Sequence, residues 1–111
     1  MVTYVVDDAL QALGDPTRRA VFELLAERAR PVGELAHELP VSRPAVSQHL
    51  AILRAAGLVT DRRDGVRRIY SIDPEGVAAM REYFDRFWNQ ALADFKKAAE
   101  NPDRASKEHD K

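Results

Sequence analysis

The chain contains no cysteine. Disulfide staples and thiolate metal ligands are therefore excluded. No apolar run approaches the ~18 residues that a membrane span requires. The opening MVTYVVDDAL lacks the basic start and long apolar stretch of a secretory signal. A cytoplasmic protein with no membrane segment is the expectation. Catalytic signatures are missing as well: there is no nucleophile elbow, phosphate loop or close carboxylate pair. Ser47 and His49 are two residues apart, so on a helix they point about 200° away from each other. They cannot share the hydrogen bond that activates a serine. The chain is expected not to be an enzyme.

What is present suits a single globular domain. The chain has 111 residues, 45% hydrophobic and 32% charged, enough for one core. There is no internal repeat or internal linker. The net charge of −1 is uneven. Residues 41–70 hold six arginines against two aspartates, a local +4, so the remainder carries −5. A basic stretch of this kind is either a solvated face or a footprint for a polyanion. Geometry has to separate the two.

Helix signals recur along the chain. Residues 8–13 suggest a short helix. Asp15-Pro16 is a side-chain cap followed by proline in the first turn, opening a second helix over 16–29. Pro31 begins a short third helix, which Pro40 ends. Ser42 caps a fourth that runs to Ala56, where Gly57 is the stop. Asp64-Gly65 between two β-prone runs signals a hairpin. Asp73-Pro74 then opens a last helix reaching about Glu100, ended by Asn101-Pro102. The order predicts a mainly α fold with a β-hairpin wing, a winged helix-turn-helix. Residues 1–100 form the expected domain, and 101–111 an expected disordered polar tail.

The fourth helix has two distinct faces. At about 100° per residue, Val46, Leu50 and Leu53 cluster, flanked by Ala45, His49, Ile52 and Ala56. The opposite arc holds Arg43, Pro44, Ser47, Gln48, Ala51, Arg54 and Ala55. Gln can pair bidentately with adenine and Arg with guanine in a major groove. Either alone is more often a solvated surface side chain. His49, toward the apolar flank, is more commonly a hydrogen-bonded boundary residue. In the hairpin, a turn at Asp64-Gly65 pairs Asp61 with Arg68 and sets Arg62 against Arg67. That like-charge pair is mildly destabilising, and phosphates along a duplex would relieve it. A polar helix face followed directly by a basic wing suits a double helix better than either part alone.

The segments DPTRR (15–19), PVGELAHELPVSRPAVSQHLAILRAAGLV (31–59) and DRRDGVRRIYSID (61–73) resemble the ArsR/SmtB family of bacterial transcriptional repressors. The resemblance covers roughly residues 8–95. It implies a homodimer with two recognition helices that binds a palindromic operator on double-stranded DNA. By position, Ser42, Arg43, Ser47, Gln48 and His49 match the family's DNA-reading helix, with Pro44 among them. Arg62, Arg63, Arg67 and Arg68 match its wing. The positions of the family's thiolate pair hold Pro31 and Gly33 here, and neither can bind a metal. The last helix contains no histidine, and His37, His49 and His109 have no ligand spacing. The resemblance therefore points to a member with no cofactor and no metal switch, such as an autorepressor, its effector unknown.

The last helix needs a cover. Residues 74–100 extend about 40 Å at 1.5 Å per residue, against a radius of gyration of about 13 Å for such a domain. Phe84, Phe87, Trp88, Leu92 and Phe95 keep helical spacing to the end. A second copy would cover them, together with Tyr4, Val5, Leu10 and Leu13. Three rivals remain. A winged-helix protein-interaction module would be expected to lose the basic wing or the polar helix face, and this chain keeps both. An RNA-binding module would show exposed stacking aromatics, whereas here the aromatics cluster in the last helix. A metal or small-ligand sensor would need an unrecognised site.

Overall fold

The computed structural model describes residues 2–100, with side chains from Val6 onward. The expected tail at 101–111 and the Tyr4 and Val5 side chains lie outside the described residues. The order of elements is α1 (Val2–Leu13), α2 (Pro16–Glu27), β1 (Arg30–Pro31), α3 (Val32–Glu38), α4 (Arg43–Ala55), β2 (Val59–Asp64), β3 (Arg67–Ile72) and α5 (Pro74–Glu100). The chain packs as two units, one ending at Met80 and the other beginning at Arg81.

The helix ends follow from their capping residues. Asp15 accepts from the Arg18 N–H at 2.9 Å and starts α2. Ser42 Oγ accepts from the Ala45 N–H at 3.3 Å and starts α4. Gly57, at φ +78°, stops α4. The N–H groups of Gly57 and Leu58 return to the carbonyls of Arg54 and Leu53, each at 3.0 Å. This is the Schellman pattern that satisfies the last carbonyls of a helix. Asp73 opens α5 by accepting from the Glu75 N–H at 3.0 Å.

One core joins these elements. Val21 and Leu25 of α2, Leu35 of α3, Val46, Leu50 and Leu53 of α4, and Leu58 and Val59 are all buried together. Burial of each large apolar side chain stabilises by roughly 1.5–3 kcal/mol. The first turn of α5 closes the same unit through a glycine contact. A Cβ on Gly76 would lie 1.9 Å from the Gly57 carbonyl oxygen, so only glycine fits there.

The structure adds a strand and corrects the hairpin. β1 carries no strand signal in the sequence: it is two residues long, contains a proline and shows no alternation. It pairs antiparallel with β3, giving a three-stranded sheet in the order β1-β3-β2. Arg30 of β1 is buried. It donates to Glu38 Oε2 at 2.6 Å and to the Leu24 carbonyl at 2.9 Å, tying α2 and α3 to the sheet edge. In the hairpin, Arg62 faces Ile69, Arg63 faces Arg68 and Asp64 faces Arg67. The two-residue turn is therefore Gly65-Val66, not Asp64-Gly65. Gly65 has φ +65° and Val66 does not have positive φ, the sign pattern of a type II′ turn. The expected opposition of Arg62 and Arg67 is replaced by that of Arg63 and Arg68.

Candidate nucleic-acid interface

On α4 the apolar stripe is closed and the polar one open. Val46, Leu50 and Leu53 are fully buried. Ser42, Arg43, Pro44, Ser47, Gln48, Ala51, Arg54 and Ala55 are all exposed. The outward face thus presents a guanidinium, a hydroxyl and a carboxamide in its first two turns, followed by the small Ala51 and Ala55 and by Arg54 in the last turn. Its hydrogen-bonding groups match what a base edge or phosphate offers. Ile52 departs from the wheel. Expected beside the apolar stripe, it is 45% exposed.

His49 lies apart from that stripe. It is half-buried, with Nδ1 3.4 Å from Arg18 Nη1. Arg18 also donates from Nε to the Ala12 carbonyl at 2.7 Å. Its backbone N–H holds the Asp15 carboxyl below the ordinary 3.8, and its charge adds to that effect. His49 thus joins the cluster at the start of α2, while its neighbours Ser47 and Gln48 point outward.

The wing is basic on both faces. Arg62, Arg63, Arg67 and Arg68 are all exposed. Arg63 and Arg68 oppose each other on one face, and Arg62 and Arg67 share the other. Arg68 is drawn to the Asp61 carboxylate, whose hydrogen bond and charge push its guanidinium above the ordinary value. Arg54 of α4 reaches the same carboxylate, with Nε 3.0 Å from Oδ1. Arg54 lies on the stripe of Arg43 and Ser47, eleven and seven residues further along the helix. The outward stripe of α4 therefore meets the wing at Asp61. Arg54 falls on the outward arc of the helical wheel, but nothing in the sequence signals its contact with Asp61.

Of the residues expected at a dimer contact, Leu10 is 37% exposed, and Phe84, Phe87, Trp88, Leu92 and Phe95 lie between 47% and 73%. Leu13 differs: it packs against the core. Tyr83 orders its neighbours on α5, meeting Phe87 edge-to-face at 5.0 Å, with Arg86 over its ring at 5.5 Å. Among the described residues no group of three His, Asp or Glu side chains is placed to hold a metal ion. No helix there is long and apolar enough to cross a membrane.

Comparison with known proteins places this geometry. The family model described as bacterial regulatory protein, arsR family, matches residues 15–61. The HTH-type transcriptional regulator Rv2034 of Mycobacterium tuberculosis is 58% identical over 89 residues, 80% of this chain and 83% of its own. The transcriptional repressor SdpR of Bacillus subtilis is 34% identical, over 61% of this chain and 76% of its own. A crystal structure described as a possible transcriptional regulator for arsenical resistance superposes with a TM-score of 0.66 at 45% identity. It covers 78% of this chain and 95% of that one. These relatives are regulators rather than enzymes, and their winged helix is the fold found here. With so close a relative matched over most of both lengths, the chain belongs to the ArsR family of bacterial transcriptional regulators.

Proposed function

We propose that this regulator is a homodimeric repressor that binds a palindromic operator on double-stranded DNA. In this reading α4 enters the major groove, where Arg43 and Gln48 address base edges and Ser42, Pro44 and Ser47 sit against the groove wall. The wing arginines Arg62, Arg63, Arg67 and Arg68 lie along the phosphate backbone. His49 supports the helix from behind through Arg18. One observation carries the reading: the exposed polar stripe of α4 runs into an exposed arginine wing, and the opposite face of α4 is fully buried. The dimer is supported by the bare aromatic face of α5. Repression is supported by the likeness to SdpR, a repressor. Control by the chain's own abundance fits the absence of cysteine and the Pro31 and Gly33 at the thiolate positions. The place of action is the cytoplasm, where a bacterial operator lies.

Selection of sites from a random duplex library tests this reading. A palindrome with half-sites about one helical turn apart is expected. An unpaired half-site would overturn the dimer, and no enrichment would overturn sequence-specific binding. Transcription from a promoter bearing the selected site should fall on adding the protein; a rise would overturn repression. On that site Gln48→Ala should weaken specific binding about tenfold, within the range of one base contact, and leave non-specific binding unchanged. Arg62→Ala combined with Arg67→Ala should weaken both and lower the salt slope by about 1.8, from two phosphate contacts.

A further inference from the structure

The Asp61 side chain is 2% exposed, although it stands among exposed arginines at the base of the wing. Two guanidiniums from different elements converge on it. Arg54, in the last turn of α4, lies at ion-pair distance from Oδ1 without the alignment of a hydrogen bond. Arg68, in β3, donates from Nη1 to Oδ2. The arginines themselves remain open, with side chains 59% and 47% exposed. A guanidinium has five N–H donors in a fixed fork. Asp61 engages few of the ten available, and two cations over one anion leave a local +1.

We propose that Asp61 is a positioning residue for duplex binding, holding Arg54 of the reading helix and Arg68 of the wing as a two-guanidinium site for one backbone phosphodiester. The proposal rests on the duplex reading above and extends it. It assigns a phosphate contact to Arg54, and it explains an acid buried beside a surface meant for a polyanion. Long-range electrostatics alone would select against that acid. Its advantage is order. Free arginines lose rotamer freedom when they bind, whereas arginines already held against a carboxylate have lost most of it beforehand. The same contact fixes the end of α4 against the wing, and so the spacing of the two elements that must straddle one duplex.

The two accounts predict opposite signs. Asp61→Asn changes the net charge from −1 to 0, so charge counting alone predicts tighter binding. Positioning predicts binding about tenfold weaker, the scale of one hydrogen bond between charged groups. The experiment follows a labelled mixed-sequence duplex by fluorescence anisotropy with the full chain, for Asp61→Asn alone and in an Arg54→Gln, Arg68→Gln background. The loss is expected only where both arginines are present. Tighter or unchanged binding with both arginines present overturns the proposal. So does an equal loss in the two backgrounds, which would assign Asp61 to folding alone. Should Asp61→Asn fail to melt as a folded protein, Arg54→Gln and Arg68→Gln are read singly and together. Sharing one phosphate makes the combined loss smaller than the product of the single ones; a full product overturns the site. If the unsubstituted chain binds no duplex, both readings fall, whereas tightening by Asp61→Asn removes only this one.

Discussion

Two helices of this chain carry apolar stripes, and the stripes meet opposite fates. On α4, Val46, Leu50 and Leu53 are at 0% exposure. On α5, Phe84, Phe87, Trp88, Leu92 and Phe95 stand 47–73% exposed. Both stripes follow the 3.6-residue period, and both were legible as such. Periodicity reports which side chains share a face, and nothing about what covers it. α4 lies among α2, α3 and β2, which supply its cover. Beyond Met80, α5 carries larger side chains and leaves them bare. An exposed apolar face of this extent is the feature on which the proposed dimer contact rests. Sequence alone hints at such a face only through helix length, and α5 runs for 27 residues.

Truncation separates the two stripes most clearly. Leu50→Ala should cost ~2–5 kcal/mol of folding stability, because it opens a cavity in a closed core. Trp88→Ala, measured at the same dilution, should cost under about 0.5 kcal/mol as a surface change, yet shift sedimentation toward monomer at higher concentration. Urea denaturation with sedimentation velocity on both variants checks this. Equal losses of stability at high dilution would mean that the α5 face is already covered within one chain. An unchanged mass for Trp88→Ala would deny that Trp88 holds the dimer.

The start of α5 differs from its exposed remainder. Its first turn belongs to the closed unit, pressed against the α4–β2 turn at Gly57. Gly76→Ala forces a methyl into the Gly57 carbonyl and should destabilise by about 1–3 kcal/mol, as overpacking does. Gly33 is the control. Its added Cβ would meet nothing closer than Arg43 Nη1 at 3.9 Å. Gly33→Ala should be neutral or slightly stabilising, since alanine suits a helix better. Thermal unfolding of the pair decides it: a tolerated Gly76→Ala would show that the start of α5 can lift from the turn.

The legible parts were those written in local chemistry. Asp15-Pro16, Ser42 and Gly57 announce their helix ends, because a cap or a positive φ needs few neighbours. The wing was legible in kind but not in register. Asp64-Gly65 and Gly65-Val66 are both good two-residue turns by sequence. The second brings Val59 opposite Ile72, an apolar pair at the base of the wing. The first would have set Val59 against Tyr70. The two registers differ by two residues, so every side chain keeps its face while changing its partner. That is why Arg62 and Arg67 still share a face, as expected, although they no longer oppose each other. β1 and the burial of Asp61 were not legible. A two-residue strand has no period, and the buried carboxylate meets Arg54, which arrives from another element.

The smallest expected effect belongs to the closed unit and is set by pH. The bare face of α5 consists of apolar side chains, with nothing to titrate among Phe84, Phe87, Trp88, Leu92 and Phe95. The cap of α2, by contrast, is an ionised carboxylate. Asp15 is held below its ordinary 3.8, first by the Arg18 backbone N–H and then by the Arg18 charge. A lowered pKa in the folded state means that the folded chain binds the proton less readily than the unfolded one. The cap's contribution is therefore complete above pH 3.8 and fades as pH falls through the lower folded value. Asp15→Ala should melt below the unsubstituted protein at neutral pH, and the gap between the two midpoints should close in acid. Ser42→Ala removes the equivalent cap from α4, but a hydroxyl does not titrate in this range, so its gap should persist. A gap for Asp15→Ala as constant as that for Ser42→Ala would mean that the Asp15 carboxylate caps α2 without its charge contributing.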